Sequence, residues 1–155
     1  MKTKQQGFTL IELVVVIVIL GLLAATALPK YIDVTTDARQ ASVQGVAGGL
    51  RAAAALGQAQ YVVNGDKAAT TISMGGSTVT VLSENANVGR GGRPSASLAT
   101  GIGVAMPTPD GFTADDTTTP GTVYYTPTNG GNAGCRAEYL PASLGDPVTA
   151  PTGSC

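Results

Sequence analysis

From Phe8 to Leu28 the chain is apolar at nearly every position, interrupted only by Thr9, Glu12 and Thr26. As a helix, these 21 residues at about 1.5 Å each span roughly 30 Å, the thickness of a bilayer's hydrocarbon core. Valine, isoleucine and leucine run round the whole circumference with no polar stripe. A helix apolar on every side needs lipid, the interior of a large protein, or a bundle of like helices. A chain of 155 residues with 5% aromatics is too small to wrap it. From residue 30 to about 62 the pattern changes. Val43, Val46, Ala47, Leu50, Ala54, Gly57 and Tyr61 recur at spacings of three and four, one stripe suited to packing on a sheet. Asp33, Asp37, Arg39, Gln40, Gln44 and Arg51 occupy the other sides. The spacing predicts one helix over 8–62, with 8–28 transmembrane. Gly21 weakens that helix by roughly 1 kcal/mol relative to alanine. Pro29 removes a ladder hydrogen bond and clashes with the preceding turn, so 21–29 is marked for a kink or local unwinding. Gly45, Gly48 and Gly49 suit either flexible points or close approach of a neighbouring helix.

Asn64-Gly65-Asp66 is a turn signature that ends the helix. Residues 63–155 then read as a β-rich head of short strands between Gly, Pro, Asn and Asp clusters. The expected strands are Thr71–Met74, Thr78–Leu82, Gly103–Met106, Val123–Thr126 and Cys135–Leu140, the first two joined as a hairpin by Gly75-Gly76. In the last, Ala137 and Tyr139 alternate with Arg136 and Glu138, which offers one face to the helix stripe. Ser83–Thr100 and Pro107–Gly121 read as loops. The fold class is therefore α+β: a long N-terminal helix packed on a C-terminal antiparallel sheet, in one domain plus an anchor.

Only 12% of residues are charged, against about 25% in an average soluble domain, which suits a subunit buried against copies of itself. Lys2 and Lys4 precede the apolar run and hold that end on the cytoplasmic side. The body then faces an oxidising compartment, which fits Cys135 and Cys155. An intrachain bond between them is the expectation, with free thiols or pairing between subunits the alternatives. Such a bond is worth about 3 kcal/mol on chain-entropy models.

Glu12 is the odd residue, because a carboxylate within an apolar membrane segment demands a partner. A cut between Gly7 and Phe8 creates an amine one helical turn away, on the same chain or on a neighbour offset along the axis. Gln5-Gln6-Gly7 followed by Phe8-Thr9-Leu10-Ile11-Glu12-Leu13 and an unbroken apolar run resembles the class III signal of bacterial type IV pilins and the related type II secretion pseudopilins. The likeness is close over residues 5 to about 31. It implies that a prepilin peptidase removes the leader 1–7 after Gly7 and methylates the new Phe8 amine. It also implies that Glu12 is the assembly glutamate, neutralising the Phe8 amine of a neighbouring subunit. Pro29 matches the proline that bends the first helix, and 21–29 the stretch that melts in assembled pili. The terminal loop, with Gly134-Cys135-Arg136-Ala137-Glu138-Tyr139-Leu140 at its start and Gly153-Ser154-Cys155 at its end, resembles the disulfide-bounded region of type IVa pilins, of the mannose-sensitive haemagglutinin branch.

The implied function is that of the major subunit of an extracellular filament for adhesion, motility or colonisation. The implied partners are the chain itself, the prepilin peptidase, the pilus assembly machinery and, before assembly, the inner membrane. A type II secretion major pseudopilin and a minor pilin share the same N-terminal signal. Other chemistry reads weakly. With no histidine there is no His-based triad or His–Cys zinc site, and the expectation is no catalysis, no cofactor and no metal. Asp110, Asp115 and Asp116 read as solvated loop acids rather than calcium ligands. Gly89–Gly92 lacks the lysine and helix of a phosphate loop. Arg90 and Arg93 read as ordinary exposed loop charge, with no basic patch for nucleic acid. Tyr31, Tyr61, Tyr124, Tyr125 and Tyr139 read as packing for the head.

Overall fold

The computed structural model describes residues 7–84, 89–152 and 155, without the side chains of Ile32 and Asp33. Residues 1–6, which fall within the expected leader 1–7, and residues 85–88, 153 and 154 lie outside the described residues. The chain divides into two compact units, 1–36 and 37–155.

Helix α1 runs over Leu10–Asn64, 55 residues, and is helical through both Gly21 and Pro29. Within the first unit the large apolar side chains from Phe8 to Leu28 are all exposed. This segment is long and apolar enough to cross a membrane. The second unit uses the rest of the helix differently. All seven residues of the predicted stripe are buried there, together with Ala53. Gly65, at φ 73°, takes the left-handed conformation that stops the helix, and its N–H donates back to the carbonyls of Tyr61 and Val62.

The head carries two antiparallel sheets. In the first, β1 (Thr71–Met74) and β2 (Ser77–Thr80) pair across the Gly75-Gly76 turn. Both glycines have positive φ, at 57° and 84°, as a two-residue hairpin of this kind requires. In the second, β3 (Phe112–Asp115), β4 (Val123–Pro127), β5 (Ala137–Tyr139) and β6 (Val148–Thr149) lie side by side in sequence order. The inward residues Val123, Tyr125, Ala137 and Tyr139 meet Val43, Ala47 and Leu50 of the helix in the main core. Tyr61, Ile72, Val79 and Val81 form a second cluster.

Several expectations are corrected. Gly103–Met106 is not a strand: Ile102–Ala105 is a helical turn, α2, closed by Met106 N–H on the Ile102 carbonyl. A four-residue apolar run carries no periodicity that separates the two. The turn forms because Gly101 and Gly103 nest against Ser95 and Leu98, where any Cβ would collide. The expected loop Pro107–Gly121 contains β3, and β6 was not anticipated at all. The second strand ends at Thr80, and Val81 instead bridges Pro94. Of the five tyrosines, four are buried; Tyr31, in the first unit, is exposed.

Candidate functional site

The candidate site is the start of α1. Gly7, Phe8 and Thr9 precede the helix as irregular chain, and the first helical residue is Leu10. Thr9 is therefore the N-cap and Glu12 the third helical residue. The Glu12 carboxylate accepts the Thr9 N–H at 2.8 Å and the Thr9 hydroxyl at 2.7 Å. The Glu12 N–H in turn donates to the Thr9 hydroxyl at 3.3 Å. This is a reciprocal capping box, threonine and glutamate three residues apart, which satisfies two helix-end donors that lipid could not. Both contacts converge on one carboxylate oxygen, Oε2, and among the described residues no hydrogen bond reaches Oε1. The positive end of the helix dipole favours a carboxylate here. Phe8, 91% exposed, lies beside it. The sequence reading missed Thr9, although Thr9-Leu10-Ile11-Glu12 carries the capping signature in plain view.

The other predicted residues fall as follows. Gly7 and Gly21 have open space around them. Pro29 lies within α1, where it leaves the Ala25 carbonyl without its ladder donor. Cys135 and Cys155 are bonded, with Cα atoms 4.9 Å apart, and the helix holds that end too. Arg39 Nε donates to the Asn129 carbonyl at 2.8 Å and its Nη1 to the Cys155 carbonyl at 3.3 Å.

Head acids are committed to local structure. Asp115 accepts from the backbone and hydroxyls of Thr117 and Thr118. The Thr118 and Thr117 hydroxyls hold it well below the usual carboxylate range. Asp116 accepts the Leu98 N–H at 2.9 Å. Glu84 takes the N–H groups of Gly89 and Gly91, which lower its pKa. Among the described residues no three acidic or cysteine groups converge as metal ligands do. Arg93 is not exposed loop charge: it is 8% exposed and hydrogen-bonded to backbone carbonyls.

Comparison with known proteins bears on this same end. Residues 2–28 match the family model described as the prokaryotic N-terminal methylation motif. The type IV narrow pilus major component PilA5 of Thermus thermophilus is 47% identical over 57 residues, 37% of this chain and 49% of that one. The fimbrial protein EcpC of Eikenella corrodens is 47% identical over 53 residues, 34% of this chain and 35% of that protein. The type IV major pilin PilE1 of Neisseria gonorrhoeae is 62% identical over 39 residues, 25% of this chain and 24% of its own length. The chain thus spans half or less of the length of these relatives. No solved structure matches.

Proposed function

We propose that this chain is a type IV pilin, the structural major subunit of an extracellular pilus. One observation carries the reading: an all-round apolar helix opens on a capped Glu12, directly after Gly7-Phe8, inside the matched methylation motif. Cleavage after Gly7 leaves Phe8 as the new N-terminus, and the prepilin peptidase methylates its amine. The precursor sits in the inner membrane through residues 8–28. In the filament the apolar helices exchange lipid for one another. The Glu12 carboxylate meets the Phe8 amine of an offset neighbour and sets the axial register. At 4 Å and an effective dielectric near 20 that attraction is about 4 kcal/mol before desolvation. Residues 21–29 stay helical in the free subunit and unwind on assembly, because Gly21 and Pro29 make this the cheapest stretch to open. The head forms the outer wall and takes part in adhesion; the chain has no catalytic role.

The names of the relatives, pilus and fimbrial components, favour this reading over a type II secretion pseudopilin. The Cys135–Cys155 loop supports the finer placement in the type IVa group, in the mannose-sensitive haemagglutinin branch. The test is shearing of cells followed by N-terminal mass analysis. An abundant filament protein starting at a methylated Phe8 is the expected result. Protein that retains residues 1–7, or that is absent from the sheared filaments, overturns the proposal.

A further inference from the structure

The three arginines Arg51, Arg90 and Arg93 all reach the stretch 141–148, and none of them was expected to. Arg93 Nη1 donates to the carbonyls of Pro141 at 3.3 Å and Ser143 at 2.7 Å, and its Nη2 to Gly145 at 3.0 Å. Arg90 Nη1 donates to the Ala142 carbonyl at 2.5 Å. Arg51 pairs with Asp146 at 2.6 Å and donates to the Val148 carbonyl at 3.1 Å. Five carbonyls within eight residues are thereby spent on guanidinium groups. Arg93 is the buried one: its Nη groups face a ring of three carbonyls, its Nε has no partner among the described residues, and the Asp146 carboxylate also acts on its charge. Burying a charge is tolerable only with such hydrogen bonding. The ring exists only while the turn is closed.

We propose that the turn 141–146 is a clasp closed on the Arg93 guanidinium, which fastens the middle of the C-terminal loop independently of the Cys135–Cys155 bond. The disulfide and the Arg39 contact act on the far end of the loop, at Cys155. The middle is bounded by its own fastenings. The β5–β6 pairs Glu138↔Thr149 and Tyr139↔Val148 close it at the base, and the arginines close it along its length. A guanidinium neither titrates in the physiological range nor responds to reductants. The clasp therefore survives conditions that open the disulfide, and reduction frees only the tail after Thr149. Arg93 is held in place from the other side as well. The Gly92 carbonyl lies where a Cβ at Gly57 of α1 would come within 2.7 Å, and the Tyr139 hydroxyl donates to the Pro94 carbonyl at 2.7 Å. The loop that carries Arg93 is thus seated against α1 and β5 on the side away from the turn.

Amide hydrogen exchange on the full chain in detergent micelles tests this. The reporters are the N–H groups of Ser143, Gly145 and Val148, which donate to Leu140 O, Ser143 Oγ and Asp146 Oδ1. Reduction of the wild type is expected to leave these three amides protected while the tail exchanges faster. Arg93→Gly, with the disulfide intact, is expected to speed their exchange by about tenfold or more, the effect of losing one charge-assisted bond. Added methylguanidinium is expected to restore protection in that variant, and methylammonium is not. Release of these amides by reduction alone, or unchanged protection in Arg93→Gly, overturns the proposal, as does a variant indifferent to methylguanidinium. Should Arg93→Gly fail to fold, Arg93→Lys takes its place: an ammonium cannot reproduce the planar fork of donors, so faster exchange of the same amides is expected, and unchanged protection overturns the proposal.

Discussion

One helix does two different jobs along its length. In Leu10–Leu28 every face is apolar and every large side chain is exposed. In the second unit, from Asp37, the helix buries a single stripe, with Val43, Ala47 and Leu50 fully removed from solvent. Backbone geometry does not distinguish the two stretches; the chemistry of the surroundings does. The second stretch finds its cover inside its own chain, against β4 and β5. The first leaves its large apolar side chains exposed, and on the proposed function lipid and then copies of the chain cover them. On that proposal, stability of the head and assembly of a filament are separable properties of the same element.

The sharpest test is at Glu12. Glu12→Ala is expected to permit cleavage after Gly7 yet abolish filaments, because in the proposed register the Phe8 amine of the neighbour loses its counter-charge. Electron microscopy of cells and an assay of sheared material read this out, and normal filament yield would reject the role of Glu12. Next come two leucines, one from each stretch. Leu50→Ala is expected to cost about 2–5 kcal/mol in urea unfolding of the detergent-solubilised subunit, the range for a fully buried leucine. Leu20→Ala, at a side chain 58% exposed in the free chain, is expected to leave that unfolding curve in place and to lower filament yield instead. Equal unfolding costs at the two positions would erase the distinction between the stretches.

A smaller effect is expected at Thr9. Thr9→Ala removes the cap and should cost about 0.5–2 kcal/mol, seen as faster amide exchange in the first helical turn. The smallest is the pH response of the head. Glu84, Asp115 and Asp146 all have lowered folded pKa values. For Asp146 burial raises the pKa, but the Arg51 bond and the Val148 N–H outweigh it. A lowered folded value means stability that is complete above the unfolded carboxylate pKa, about 4. It is then lost as pH falls through the folded values. Burial raises the pKa of Tyr125 to about 12, with Asp116 adding to it, and burial raises Tyr139 further. Their contribution is complete below the unfolded tyrosine pKa, about 10, and is lost as pH rises through the folded values. With no histidine in the chain, thermal unfolding of the head should be nearly flat from about pH 5 to 9. A step near pH 6.5 would contradict this.

The helix was legible because its periodicity is long. From Val43 to Tyr61, three-and-four spacing leaves little room for another reading, and every residue assigned to the stripe is buried. The Gly75-Gly76 hairpin was legible because its turn demands residues free to take positive φ. What escaped was short or depended on contacts distant in sequence. β3 is four residues set among aspartates, and it is a strand because β4 is there to pair with it. Ile102–Ala105 turns helical because two glycines let the chain fold onto Ser95 and Leu98. Arg93 looks like any loop arginine until residues some fifty positions away supply its acceptors. The motif matched over residues 2–28 was legible through Gly7, Phe8 and Glu12. Thr9 was overlooked because a helix-capping signal was hidden within a signal of another kind.

The close seating of Gly57 against Gly92 carries a consequence for how this protein can vary. A Cβ at 57 would come within 2.7 Å of the Gly92 carbonyl, and one at 92 would strike Tyr61 at 2.4 Å. Neither site can accept even the smallest side chain without displacing its neighbour. Exposed side chains such as Leu144 and Asn129 carry no such restriction. Natural relatives that share this head should therefore diversify freely along those outer loops while keeping both glycines, and any drift at one should be answered by a shift in the other.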